Sequence, residues 1–229
     1  MTCCALLELR QYTCRPGQRD TLIALFEREL IEPQEACGNR LIGQFRDLDD
    51  ADRFVWLRGF GDLAARLEAL GAFYGGDVWK RHRDAANATM IDSDNVLLLE
   101  PAAPNSDFVD LPPRAAPRAS EPPGTITTFV HDVERAGLDE FRVFFVQAIV
   151  PAAERSGLSY IAAFRTAFVE NTFPVLPVRD ASVFVWFARG DATAAPYVDR
   201  EQASPAVLRA LARKPEVLRL APTARSLLR

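Results

Sequence analysis

The sequence predicts an α+β chain built of two diverged copies of one small half, each running strand, helix, strand, strand, helix, strand. Three observations predict it. Segments of period two and segments of helical period follow one another in that order twice. A proline- and alanine-rich stretch from Pro101 to Gly124 separates the two series and reads as an extended spacer. Short patterns also recur at matching places: Leu30-Ile31-Glu32-Pro33 returns as Ala148-Ile149-Val150-Pro151, and Phe54-Val55-Trp56 as Phe184-Val185-Trp186. The offsets of these recurrences, 118 and 130 residues, place an insertion of about twelve residues in the second copy, around Glu170 to Arg179. The expected organisation is a first half over residues 1–100, a linker over 101–124 and a second half over 125–229.

Each element has its own signal. Leu6 to Tyr12 alternates as a strand, with Leu7, Leu9 and Gln11 on one face and Leu6, Glu8, Arg10 and Tyr12 on the other. Arg15-Pro16-Gly17 breaks it, and Leu22, Ile23, Leu25, Phe26 and Leu30 then recur at helical spacing up to Pro33. Arg40 to Arg46 and Arg53 to Phe60 flank the polar turn Asp47 to Asp52 as a hairpin. Leu63, Leu67, Leu70, Phe73 and Tyr74 mark a helix interrupted at Gly75-Gly76 and resumed from Asp77 to Asn87, before Asn95 to Glu100 closes the half as a strand. In the second half the strands are Thr125 to His131, Tyr160 to Phe168, Ser182 to Arg189 and Glu216 to Leu220. Its helices run from Leu138 to about Glu154 and around Ala206 to Arg213.

Composition narrows the function classes. The 229 residues are 48% hydrophobic and 25% charged, as in a globular protein, and 27 basic against 31 acidic residues give a formal charge of -4 without long like-sign runs. That offers no footprint for nucleic acid. No apolar stretch approaches a membrane span, and the first residues lack the basic start and apolar run of a secretory signal, so a cytoplasmic protein with no membrane partner is expected. Lysine occurs only at Lys80 and Lys214, and with abundant alanine this suggests a GC-rich bacterial genome. The four cysteines, Cys3, Cys4, Cys14 and Cys37, all fall in the first half without a C-x-x-C pair, which fits a reduced compartment; Cys14 reads as an apolar filler, with a nucleophile as the sharper alternative. No phosphate loop, dinucleotide fingerprint, nucleophile elbow or zinc spacing is present, and no cofactor is expected.

Glu8-Leu9-Arg10-Gln11-Tyr12 with Arg15-Pro16-Gly17, then Leu41-Ile42-Gly43-Gln44-Phe45, Val55-Trp56 with Phe60, and Asp77-Val78-Trp79 resemble the NIPSNAP family over most of residues 6–100. The second half lacks counterparts of Glu8-Leu9-Arg10-Gln11-Tyr12 and Pro16-Gly17, keeps Phe184-Val185-Trp186 and has Ala188 where the first has Arg58. The resemblance implies ferredoxin-like βαββαβ halves whose sheets pair into a dimeric α/β barrel, here within one chain. A four-stranded sheet covered by helices on one face needs a second sheet against the other. The barrel superfamily includes cofactor-free monooxygenases, polyketide cyclases, lactone isomerases and haem enzymes, so fold alone does not select a reaction.

Strand alternation supplies the candidate site. Glu8, Arg10 and Tyr12 share one face, Gln44 and Arg46 another, and Phe54, Trp56 and Arg58 a third; if all three lie on one side of the sheet they line a pocket with aromatic walls and convergent polar groups. The alternative is structural ion pairing of Arg10, Arg46 and Arg58 with Glu8 or nearby aspartates. His82, three residues after Trp79, and His131, at the end of a strand, are the candidate acid/base groups, with Arg10, Tyr12 or Arg58 holding developing oxyanion charge. A solvated His82 is the plainer alternative, and either histidine could serve a haem as axial ligand, though nothing else marks one.

The expectation is a cofactor-independent enzyme of acid/base isomerisation, cyclisation or elimination on a small molecule in bacterial secondary metabolism. A non-catalytic binding or scaffold protein and a cofactor-free monooxygenase are the alternatives, and a homodimer is left open. One pocket is expected, in the first half, with the second half's insertion as its lid.

Overall fold

A computed structural model describes residues 4–117, 119–201 and 203–229. The first half comprises β1 (Leu6–Cys14), α1 (Arg19–Leu25), a π-helical turn (Phe26–Leu30), α2 (Ile31–Ala36), β2 (Arg40–Asp47), β3 (Arg53–Phe60), α3 (Leu63–Gly75), α4 (Asp77–Ala88) and β4 (Met90–Pro101). The second comprises β5 (Ile126–Asp132), α5 (Leu138–Phe144), a second π-helical turn (Phe145–Ile149), α6 (Val150–Arg155), β6 (Ser159–Thr166), β7 (Val183–Arg189), α7 (Pro205–Ala212) and β8 (Glu216–Pro222). Local chemistry sets several boundaries. The Asp62 carboxylate caps α3 by accepting from the Ala65 N–H, and extended Gly76 separates α3 from α4. Gly38 and Gly157 follow α2 and α6 with φ of +95° and +83°, the left-handed geometry that ends a helix.

Both halves have the ferredoxin-like strand order, β4-β1-β3-β2 and β8-β5-β7-β6, and every pairing is antiparallel. The sheets join at two seams, β2 with β8 and β4 with β6, which close an eight-stranded barrel and leave none of these strands with a free edge. The recurrence of Phe54-Val55-Trp56 is structural: Tyr12 pairs with Phe54 as His131 pairs with Phe184, and Arg10 with Trp56 as Phe129 with Trp186. The helical recurrence is one residue out of register. The π-helical turns and the glycines after α2 and α6 are all related by 119 residues, whereas Pro33 and Pro151 are 118 apart.

Side chains of opposite parity on each strand separate two environments. Leu7, Leu9, Phe45, Val55 and Leu57 meet Ile126, Val130, Phe164, Val185 and Leu218 inside the barrel, which is a packed core. The other faces lie under the helices, and it is there that Glu8, Arg10, Tyr12, Trp56 and Arg58 are buried.

Part of the proline-rich segment packs into the barrel. Phe108 is 1% exposed and lies in the barrel core against Phe164 and Phe187, with ring centroids at 5.2 and 5.1 Å. Ser106 anchors the segment: its Oγ donates to the Ala163 carbonyl and accepts from the Ala103 N–H. The tail after β8 repeats the device, since Ser226 Oγ accepts from the Gln44 N–H and Leu228 enters the same core. Apolar burial outweighs the segment's composition, because a buried Phe contributes roughly 1.5–3 kcal/mol.

Candidate functional site

The helix-facing side of the first sheet carries a charge cluster. Glu8, on β1, faces Arg58 on β3 in the register, with Arg10 two residues along the same face. The Glu8 carboxylate accepts from Arg10 Nη1, Arg58 Nε and Arg66 Nε, each at 2.7 Å, and all four side chains are at most 1% exposed. Arg66 comes from α3. It falls on that helix's apolar face, in step with Leu63, Leu70 and Phe73, which is the sequence signal for it. Burial pushes the Glu8 carboxyl upward, but Arg58, Arg10 and Arg66 outweigh it and hold the group well below the ordinary carboxylate range. Burial alone would lower Arg10; Tyr12 and Glu8 reverse that and raise it.

Beside the cluster lies a cavity of about 220 Å³ between β1, β3 and the helices. Tyr12 and Trp56 form its floor, Phe26, Leu30 and Gln34 one wall, and Phe73, Tyr74 and Trp79 the other. The rings pack edge to face, Tyr12 to Trp56 at 5.7 Å and Tyr74 to Trp79 at 5.0 Å. The π-helical turn places Phe26 and Leu30 on the cavity while its backbone departs from α-helical register, a feature frequent at functional sites. Val175 and Leu176, from the second half's insertion, complete the lining. Asn171 organises that insertion. Its Oδ1 accepts from Arg66 Nη1 and the Phe173 N–H, and its Nδ2 donates to the Leu176 carbonyl.

The cluster reaches the cavity through its wall. Arg10 Nε donates to the Tyr12 hydroxyl at 3.0 Å, which leaves the phenol's own O–H to be donated. Burial raises the Tyr12 pKa, so the phenol carries its proton. The Arg58 guanidinium lies 5.1 Å from the Trp56 ring and 5.8 Å from the Tyr74 ring, with long 3.4 Å contacts to Gln34 Oε1 and the Tyr74 hydroxyl. The buried Trp56 Nε1, Arg58 Nη2 and Arg66 Nη2 have no hydrogen-bond partner.

The structure brings together Glu8, Arg10, Tyr12, Trp56, Arg58 and Trp79 from the residues the sequence singles out. The other four stand apart. Arg46 pairs with Asp20 and Glu121 toward solvent. The Gln44 Oε1 meets Arg114, which the intervening segment brings between Glu35 and the Leu41 carbonyl. His82 shares the α4 face with Trp79 and Ala86 but does not line the cavity; its Nε2 lies 3.6 Å from Glu29 Oε2. His131 is in the other half, where its Nε2 accepts from Trp186 Nε1 at 3.1 Å and burial lowers its pKa to about 4. It borders a separate open groove of about 410 Å³ with Tyr197, Arg200 and Lys214. Neither histidine therefore stands beside Tyr12 and Arg10. The structural-pairing alternative for Arg10, Arg46 and Arg58 is met in the sense that all three contact carboxylates. Cys14 is 1% exposed and burial pushes its thiol up to about 11, as for a filler.

The second half replaces the charge cluster with packing, yet it is not closed: besides the groove at His131, one of about 450 Å³ is lined by Phe144, Gln147, Ala148, Asp199 and Val207, so the expectation of a single pocket in the first half does not hold. By register Glu8, Arg10, Tyr12 and Arg58 correspond to Thr127, Phe129, His131 and Ala188. Phe129 stacks on Trp186 at 4.1 Å where Arg10 lies beside Trp56. Among the described residues no three His, Cys, Asp or Glu side chains converge as a metal site. No helix among them is long and apolar enough to cross a membrane.

Comparison with known proteins agrees with this architecture. Two solved structures match along nearly the whole chain. One is a candidate monooxygenase from Lactobacillus acidophilus, with 13% identity, 96% of this chain and 97% of that one covered, and a TM-score of 0.54. The other is a candidate monooxygenase from Fusobacterium nucleatum, with 8% identity, coverage of 95% and 92%, and a TM-score of 0.55. At these identities they show the shared fold. A NIPSNAP-like domain protein from Burkholderia xenovorans is 28% identical over 49% of this chain and 95% of its own, with a TM-score of 0.41. No curated protein matches the chain. The NIPSNAP family model matches residues 7–104, the span that holds β1 through β4 and both walls of the cavity. The first half of the chain is thus similar to NIPSNAP domains.

Proposed function

We propose that the chain is a cofactor-independent enzyme that binds a small, largely apolar organic molecule in the first-half cavity and stabilises an oxyanion on it. The Tyr12 hydroxyl carries this reading. It lines the cavity, is polarised by Arg10 Nε at 3.0 Å, and keeps its own O–H to donate to an enolate or phenolate oxygen. The aromatic walls hold the body of the molecule and exclude water, which strengthens that interaction. Because neither histidine lines the cavity, acid/base catalysis by His82 or His131 has no support there. The chemistry left to the site is stabilisation of a substrate that ionises readily, as needed for enolisation, cyclisation or attack of an electron-rich anion on oxygen.

A second reading, a non-catalytic binding protein, is favoured by the lining itself, which offers no carboxylate or imidazole as a base. An enolisable probe such as 1,3-indandione separates the two. The enzyme reading expects the enolate absorbance to appear on binding, faster exchange of its α-protons for deuterium, and loss of both in Tyr12→Phe. Binding without faster exchange or oxygen uptake leaves a binding protein, and absence of binding refutes both.

A further inference from the structure

Three guanidiniums, Arg10, Arg58 and Arg66, share the one carboxylate of Glu8 in a fully buried setting. Arginine does not give up its proton in proteins, so the cluster keeps a surplus of two positive charges. Unbalanced charge in a low-dielectric interior is costly, and its remaining contacts do not offset it. Tyr12, Gln34, Tyr74 and Asn171 are neutral acceptors. Those of Arg58 are long, at 3.4 Å against 2.7 Å to Glu8, and come from Gln34 and Tyr74, two residues of the cavity wall. They are contacts that a better acceptor would displace. Arg58 Nη2 and Trp56 Nε1 are donors without acceptors; Trp56 lines the cavity, and Arg58 stands behind Gln34 and Tyr74 of its wall.

We infer that the cavity selects an aromatic molecule bearing a carboxylate, whose charge completes the Glu8 cluster by taking donors from Arg58 and Trp56. This rests on the reading that the cavity takes a small molecule. Its size, about 220 Å³, is below that of drug-sized sites and suits one or two rings. A planar carboxylate matches the guanidinium fork, whereas the isosteric amide brings no charge. Arg66 ties the same cluster to the insertion through Asn171, so the segment carrying Val175 and Leu176 over the cavity is anchored to the group that recognises the anion.

The test is calorimetric titration of the full chain with 2-naphthoate and 2-naphthamide, at 0.05 and 0.5 M NaCl. The expected result is at least tenfold tighter binding of the naphthoate, with most of that preference kept at high salt because the pairing is shielded from solvent. In a folded Arg58→Gln variant the preference should fall to within about twofold. Equal affinity for the two probes overturns the inference and leaves the small-molecule reading standing. A preference abolished by 0.5 M NaCl also overturns it, since that marks binding to exposed arginines. Failure of both probes to bind refutes inference and reading together. If Arg58→Gln does not fold, the salt series on the unaltered chain decides.

Discussion

Replacing Glu8 with Gln keeps the shape of the cluster and removes its one negative charge. Arg10, Arg58 and Arg66 would then face one another with a neutral amide among them, in a place where all are at most 1% exposed. Removing one partner of a buried ion pair typically costs about 3–5 kcal/mol. Here one substitution leaves three cations uncompensated, so roughly 4 kcal/mol is a floor. Against a total stability of about 5–15 kcal/mol, that is a large fraction. For a chain of this size it corresponds to a fall in Tm of roughly 8–16 °C.

Acid supplies an independent arm. The folded Glu8 pKa lies below its ordinary value of 4.5, so its contribution is complete above that value and is lost as the pH falls below it toward the folded pKa. Scanning calorimetry of wild type and Glu8→Gln at neutral pH should show the full gap in Tm. The gap should narrow progressively below pH 4.5, as protonation makes Glu8 resemble the amide. A gap under about 3 °C at neutral pH, or one that does not narrow in acid, would refute the claim that this carboxylate holds the arginines together.

Phe108→Ala tests the segment between the halves. A side chain in the barrel core should cost about 3–5 kcal/mol in urea unfolding, whereas a residue of a solvated spacer would change stability by less than about 0.5 kcal/mol. His131 should remain neutral down to about pH 4, so its imidazole resonances should not titrate between pH 7 and 5. Its pKa is lower folded than the ordinary 6.5, and stability should therefore fall as the pH drops from 6.5 toward 4; that part of the dependence should vanish in His131→Phe, and a native titration near 6.5 would contradict the burial argument.

The strands were readable because each buries one parity under helices and the other in the barrel, so alternation survives even where a charged group sits inside. Glu8 and Arg10 were visible as one polar face, but which side of the sheet that face met was not. Parity separates the two sides without saying which is covered by helices and which by the partner sheet. Composition failed at Phe108: prolines and alanines around it describe the backbone, while its burial follows from one aromatic side chain fitting between Phe164 and Phe187. For Arg66, long-range partners decide whether an arginine on an apolar helical stripe is buried, and its spacing from Leu63 and Leu70 is the one local mark it carries. Residue type is all that marks the two histidines in the sequence. Their positions follow from tertiary packing: Tyr12 and His131 are counterparts by register, but the cavity at Tyr12 adjoins the Glu8 cluster while the groove at His131 has no such cluster beside it.

That correspondence also explains how two halves of the same strand order can have unlike interiors. Beneath one Trp, Arg10 brings a charge and needs Glu8; beneath the other, Phe129 stacks at 4.1 Å and Ala188 leaves no arginine to neutralise. The first arrangement cannot be satisfied by packing alone, because a guanidinium offers more donors than Glu8 and its neighbours accept. The second carries no charge to neutralise: Trp186 donates to His131 Nε2, and of that pair only the His131 Nδ1 is left without a partner. The second half also acts as support. It closes the barrel through the β2–β8 and β4–β6 seams and sends the segment holding Asn171, Val175 and Leu176 across to the first half. Asn171 meets Arg66, a member of the unsatisfied cluster, so the two halves are joined at the place where the charge remains unbalanced.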